Sequence, residues 1–494
     1  MRRELLVNAT PPETRVASTE DGRTVEVLHE RRGRQGLVGN VYLGRVHRVL
    51  PGMHAAFVSI GLDRDAFLYV QDLLPRTVEA YGEERENGVA GLPAGTDARI
   101  EDLLREGQDV VVQVTKDPLS GKGPRVTANL ALPGRTLVAL PGADGIGVSR
   151  RITDETERER LRRVLEGFGP GSGWIARTAA RGGEASEFLS DRRYLEDLSA
   201  EIRRKAGNAN APALLFRELD LALRSVRDLV TPDFAAIRVD DPETRDRVAE
   251  FLSAVAPNLV PRVELYEESE PLFERFGVEA EIRNALKNRV PLRSGGSVVI
   301  HQTEALVAID VNTGKFVGSG ALEDTVFATN LEAVAEVARQ IRLRDLGGIL
   351  VVDFIDMEDP EHRREVFESF EAELAKDRAR TRVLQISEFG LVEITRQRTR
   401  GNIEKTLTEA CPSCGGTGRV KTDLSTALDL RRTLLAAANL YAPGETVRIR
   451  VRSSLAQLLA EEEPDLLPEI ESRLNVKLEL IPDETLSPVE YEVL

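Results

Sequence analysis

The stretch TEALVAIDVNTG, residues 303–314, decides how this chain is read. An apolar run reads as a buried strand, yet it ends in Asp310-Val311-Asn312. Forty-three positions after Asp310 the pattern returns in GGILVVDFIDM, residues 347–357, where a second apolar run ends in Asp353. Between them, DTVFATNLEAVAEVARQIRLRDL has the spacing of one long amphipathic helix, with Gly347-Gly348 as its expected stop. Strand, helix, strand is a βαβ unit, so the two strands are expected to be parallel. Parallel strands put Asp310 and Asp353 on one sheet edge, the edge where open α/β sheets bind ligands. Asn312 follows Asp310 by two and so faces the same side. Converged carboxylates repel unless a cation lies between them. A hard, all-oxygen site with few protein ligands suits Mg²⁺, with Asn312 supporting Asp310. Such a site activates water for attack on phosphorus. Asp at a strand end also caps turns, and that alternative stands here. Asp356 is a further candidate, though the turn before Asp359 explains it equally well.

Outward from this unit, Asp359-Pro360 opens another helix, with Asp as N-cap and Pro at N1. The residues after 420 form a small α+β tail. Upstream, 235–265 alternates strand and helix, and 191–230 is charged and helical. RTLVALPG and GWIARTAA read as strands around the helix ITDETERERLRRVLEGF, for which Thr153 is the expected N-cap. From 39 to 117, short strands separated by Gly, Pro and Asp suggest a small barrel, interrupted by a Gly- and Glu-rich loop over 79–99. Residues 1–28 read as a strand hairpin.

The 494 residues allow about three domains. No apolar run spans a bilayer, and the first residues lack a secretory apolar core. The two cysteines share one motif, so no disulfide framework exists. These features point to the cytoplasm. The net charge of −16 argues mildly against nucleic acid, but local basic patches occur within 30–48 and at RQRTR, 396–400.

Three further motifs carry chemistry. CPSCGGTG, 411–418, is a knuckle-like CxxC. Zinc takes four ligands, so Cys411 and Cys414 complete a site only if a second chain supplies two more. That gives a zinc-linked homodimer. A redox dithiol is the alternative, but such a motif opens a helix and GGTG does not. The barrel segment resembles an S1 domain, an OB-fold relative, through GNVYLGRV, AAFVSIG and DAFLYV. Phe57 and Phe67 are its stacking candidates and Lys122 its backbone-charge candidate, unless the two rings are core. Arg177 and Thr178, after the strand at 173–176, suit a phosphate grip or a surface ion pair.

ELLVNATPPETRVA, GLVGNVYLGRVHRVLPGMHAAFVSIGLD, DVNTG, IRLRDLGGILVVDFIDM, GLVEITRQRTR and CPSCGGTG, in this order, resemble the bacterial ribonuclease E/G family over nearly the whole chain. Since the chain stops at a compact tail, it resembles the ribonuclease G branch more than the branch with a long disordered extension. The resemblance implies an α+β multidomain fold. Its parts are an RNase H-like subdomain split between 1–38 and 226–289, an S1 RNA-binding domain at 39–128 and a 5′-sensor region at 129–225. A DNase I-like α/β catalytic subdomain at 290–409, a zinc link at 410–418 and a small C-terminal domain at 419–494 follow. It implies an Mg²⁺-dependent endoribonuclease cutting single-stranded A/U-rich RNA, acting in rRNA maturation and mRNA turnover. Asp310, Asp353 and Asn312 would be the catalytic set, with the two aspartates as Mg²⁺ ligands. Phe57, Phe67 and Lys122 would hold RNA. Gly134, Val138, Arg177 and Thr178 would bind a 5′-monophosphate, and Cys411 and Cys414 would share Zn²⁺ between chains, with a higher oligomer open. Two positions depart from the family pattern, Pro124 beside Lys122 and Arg181 in the sensor loop. A non-catalytic RNA-binding scaffold and a DNA endonuclease are the rival functions.

Overall fold

The computed structural model describes residues 2–31, 33, 35–75, 78, 98–118, 122–169, 171–313, 322–384, 391–398, 402–487 and 490–494. Most of the expected loop at 79–99, Arg32 and Arg34 of the basic stretch at 30–48, and Gly314, Gly390, Thr399 and Arg400 of the quoted motifs, lie outside these. The chain divides into two compact units, Met1–Thr406 and Leu407–Leu494.

In the first unit the N-terminal segment makes three strands, Arg3–Thr10, Glu13–Glu20 and Arg23–Arg31. Asp21 and Gly22 both have positive φ, 48° and 78°, the turn that matches strand twist in a hairpin. Phe234–Val239 adds in parallel to Arg3–Thr10, and Val263–Leu265 follows. One sheet is therefore built from segments more than 200 residues apart.

Between those segments, Val41–Leu50, Ala55–Ser59, Ala66–Tyr69, Arg125–Thr127 and Asp109–Lys116 pair in that order and close on themselves, with Ala213–Phe216 added outside. A closed five-stranded barrel of this kind fits an S1/OB-like domain. Val46, Ala56, Val58, Ala66, Leu68, Val112, Val114 and Val126 fill its interior.

A four-stranded sheet over 132–176 packs against the helices Glu155–Glu166 and Ala185–Asn208. The first helix is capped by Asp154, whose carboxylate accepts N–H groups of Thr156 and Glu157, and Thr153 is not the cap. The stretch expected to be helical over 191–230 is broken. The helix ends at Asn208, a strand runs over Ala213–Phe216, and Leu221–Leu229 is a second helix.

The region from 289 to 396 is a six-stranded sheet ordered Arg289–Pro291, Ser297–Gln302, Leu306–Asn312, Gly348–Asp353, Leu391–Arg396, Thr381–Val383. Only the two central strands are parallel, and the helix Leu322–Leu343 joins them. That helix and Pro360–Leu374 cover one face, through Val334, Val337, Ile341, Val366 and Phe370. The other face is open. Leu306–Asn312 alternates buried and exposed, and Ile349 is 51% exposed. These strands are thus one-sided, not buried on both faces as their apolar runs suggested.

The long helix does not stop at Gly347. Asp345 takes the left-handed conformation, φ 48°. Leu346 N–H reaches the Ile341 carbonyl at 3.0 Å and Asp345 N–H that of Arg342 at 3.2 Å, a Schellman ending in which Asp stands where Gly is usual. Gly348 begins the next strand. At the following helix, Asp359 is the N-cap, accepting from Glu361 N–H, and Pro360 is N1.

The second unit has a three-stranded sheet centred on Thr446–Val451, parallel to Lys477–Pro482 and antiparallel to Glu492–Val493. The helices Asp423–Ala436 and Leu466–Leu474 contribute to its core. No helix among the described residues is long and apolar enough to cross a membrane.

Candidate functional site

Asp310 and Asp353 are register partners across the parallel strands, so both carboxylates leave the sheet on one face. That face is the open one, and both residues are exposed. Partial desolvation of its carboxyl against the sheet, with the nearby charges of Asp310 and Asp356, holds Asp353 above the usual carboxylate range. Repulsion of this kind is what a bound cation relieves. Asn312 Nδ2 donates to Asp310 Oδ2 at 2.6 Å, which fixes the carboxylate rotamer. The loop after Asp353 is fixed from the helix behind it. The buried Asn330 donates to the Ile355 carbonyl at 2.8 Å and accepts Ile355 N–H at 3.1 Å. Glu323 accepts the N–H groups of Glu358 and Asp359. Sequence reasoning missed Asn330, because a polar residue inside a helix gives no sign of the loop it serves. No cluster of three or more His, Cys, Asp or Glu in metal-binding arrangement occurs among the described residues. The carboxylate pair offers an open, oxygen-only site.

The barrel's outer face carries Phe57 and Phe67. They are cross-strand partners, with rings edge to face at 5.6 Å. Their neighbours Ala56, Val58, Ala66 and Leu68 are buried while both rings are partly exposed, so neither Phe is core. Lys122 is exposed. Beside it, a Cβ on Gly123 would lie 1.9 Å from the Asp65 carbonyl oxygen, so only glycine fits. The departure at Pro124 is accommodated. Pro124 is buried and its carbonyl accepts Phe67 N–H at 2.8 Å.

In the region over 132–208, the Asp191 carboxylate accepts the N–H groups of Arg135, Thr136 and Leu137 at 3.0, 2.8 and 2.8 Å and the Thr136 hydroxyl at 3.0 Å. A Cβ at Gly134 would sit 2.4 Å from Asp191 Oδ1. This turn is tied to Arg177, whose guanidinium donates to the Gly134 carbonyl and pairs with Asp228 at 2.7 Å. Burial opposes ionisation of Asp228, yet Arg227 and Arg177 outweigh it and hold the carboxyl well below the usual range. Thr178 and Ser149 share a hydrogen bond at 3.0 Å. Val138 pairs with Ile175 across the sheet and is buried. Gly134 and Arg177 therefore meet at one turn, with Thr178 following Arg177 and bonded to Ser149, and Val138 on the neighbouring strand. Asp191, Asp228 and Ser149 were not legible in advance. Arg181 is exposed, and its charge helps hold Glu157, paired first with Arg160, down at about 2.

Of the basic run at 396–400, Arg396 is buried. It pairs with Asp377 and Asp345, each at 2.6 Å, so it braces the sheet and offers no surface charge.

In the second unit, Gly415, Gly416 and Gly418 all have positive φ, so the chain after Cys414 turns tightly and no helix opens there. Gly418 N–H donates to Cys414 Sγ at 3.4 Å. This bond and one from Gly416 hold the thiol below its usual pKa, favouring the thiolate that metals take.

Residues 131–399 match the model of the Ribonuclease E/G family, and residues 410–494 match that of the RNase E/G, Thioredoxin-like domain. Ribonuclease G of Escherichia coli K12 is 44% identical over 472 residues, 95% of each chain. Ribonuclease G of Haemophilus influenzae is 39% identical over 492 residues, 99% of each. Ribonuclease E of Nostoc sp. is 41% identical over 386 residues, 77% of this chain and 54% of that protein. A family model across more than half the chain, and relatives aligned nearly end to end, show that this chain belongs to the ribonuclease E/G family.

Proposed function

We propose that the chain is an endoribonuclease that cuts single-stranded, A/U-rich RNA at the Asp310–Asp353 edge with Mg²⁺. The observation that carries this is the pairing of Asp310 with Asp353 in register on an open sheet face, with Asn312 bonded to Asp310. The residues suit the ion, since the donors are all oxygen and two like charges converge. Bound Mg²⁺ would lower the pKa of water and offset charge on the phosphate. Asp310 and Asp353 would hold it, and Asn312 would keep Asp310 in its holding rotamer. The Asn330 and Glu323 contacts keep the 354–359 loop still, so Asp356 stays beside the pair.

Phe57 and Phe67 would stack bases near the cut and Lys122 would meet the RNA backbone. The turn at Gly134, with Arg177, Thr178 and the Val138 strand, would take a 5′-monophosphate, Asp228 holding Arg177 in place as its counter-charge. The order of strands around 3–31 and 234–265 supports an RNase H-like subdomain, and the region from 290 a DNase I-like one. Cys411 and Cys414 supply half of a tetrahedral thiolate set. A second chain would complete it, giving a Zn²⁺-linked homodimer. The same reading would give the chain roles in rRNA maturation and mRNA turnover, in the cytoplasm.

Cleavage of one A/U-rich sequence offered as single-stranded RNA, as duplex RNA and as single-stranded DNA, each in Mg²⁺ and in EDTA, tests this. Cutting of the single-stranded RNA alone, and only with Mg²⁺, is expected. Equal cutting of DNA, or RNA binding without cutting, would displace the proposal by its two rivals.

A further inference from the structure

The aromatic face of the barrel does not end at Phe67. Tyr69 lies two residues further along the same strand and so on the same outer side. Its ring meets that of Phe67 edge to face at 4.5 Å, continuing the contact of Phe67 with Phe57. At 39% exposure it is a large aromatic left open to solvent. The ring is also held. The Arg125 guanidinium lies 4.8 Å from its centroid and is anchored to Asp72 at 3.0 and 2.8 Å. Arg125 is the register partner of Phe67 on one side, and Arg48 that of Phe57 on the other. Three contiguous rings between two arginines make a stacking track with a basic border, the physical pattern of a single-strand groove.

We propose that Tyr69 is a third base-stacking position, extending the track by one nucleotide beyond the two phenylalanines, with Arg125 fixing its ring. This rests on reading Phe57 and Phe67 as RNA-binding. Stacking needs only a π-face, so the position takes any base and sets the length of RNA held, not its sequence.

The test uses the full-length Asp353→Asn protein, so that RNA is bound and not cut, and a series of oligonucleotides carrying 2-aminopurine at each successive position. Tyr69→Ala is expected to abolish quenching at one position and to weaken binding about five- to a hundred-fold. Tyr69→Phe, which keeps the ring, should retain both. Phe57→Ala should remove quenching at a different position. Loss with Phe57→Ala and none with Tyr69→Ala would overturn this inference alone. No loss with either would overturn the RNA-binding reading of the barrel face as well.

Discussion

Asn312 does its work through one bond, to Asp310 at 2.6 Å. Asn312→Ala removes it while leaving the ligand. It should raise the Mg²⁺ concentration for half-maximal cleavage about 10- to 100-fold, the usual cost of losing such support, as a Mg²⁺ titration would read. Asp353 carries a pH signature. Its carboxyl is held up by partial desolvation and by Asp310 and Asp356, so its charged form destabilises the metal-free fold and protonation relieves it. Without metal, stability should rise as pH falls from neutral through that raised pKa, and the rise should shrink in Asp353→Asn. With Mg²⁺ bound the cation favours the charged carboxylate, so cleavage should fall only at lower pH than that metal-free rise. Thermal melts in EDTA against pH test the first, and a rate–pH profile the second. At this scale the sequence was informative about the chemistry-bearing side chains, because Asp310, Asn312 and Asp353 stand at places where apolar strands end. It was silent about their supports. Asp191, Asp228 and Asn330 lie on helices, and the groups they hold, the 135–137 turn, Arg177 and Ile355, are on other elements, which no local pattern encodes.

Helix ends illustrate what local pattern does and does not determine. Thr and Asp are both good N-caps, and Thr153-Asp154 offers both. The structure uses Asp154, which receives Thr156 N–H at 2.9 Å. Asp154→Ala should therefore cost about 1 kcal/mol, while Thr153→Ala costs little, as denaturant midpoints would show. At the far end of the long helix, two glycines marked a stop, but Asp345 turns the chain. A reason is visible in Arg396, which reaches both Asp345 and the Leu346 carbonyl from the neighbouring strand. Such a tertiary contact overrides the glycine preference. Removing Arg396 leaves the Asp377 carboxylate, only 4% exposed, without its buried partner, so Arg396→Ala should destabilise the unit by about 3–5 kcal/mol, measurable as a lowered unfolding midpoint at unchanged pH. The strand at 348–353 misled in another way. An apolar run fits a two-sided strand, whereas here Ile349 looks into solvent, on the face that carries the aspartates.

For the whole molecule, the periodicity of the 303–357 region was enough to expect the parallel pair. The barrel was legible as short, regularly spaced strands. The sheet that joins residues 3–31 to 234–265 was not, since nothing in either segment names a partner more than 200 residues away. Zinc content is the readout for assembly. The shared-thiolate proposal predicts about one Zn²⁺ per two chains, and a dimer that falls to monomer when Cys411 and Cys414 are both changed to Ser, as light scattering would report. One Zn²⁺ per chain, or a dimer indifferent to the change, would remove the link. The central claim is nearer the chemistry, and one measurement meets it directly. A short A/U-rich RNA bearing a 5′-monophosphate is incubated in Mg²⁺ with the native protein and with Asp353→Asn. The account predicts that cutting vanishes in the variant while its RNA binding survives. Equal cutting by both proteins would contradict it and place the active centre elsewhere.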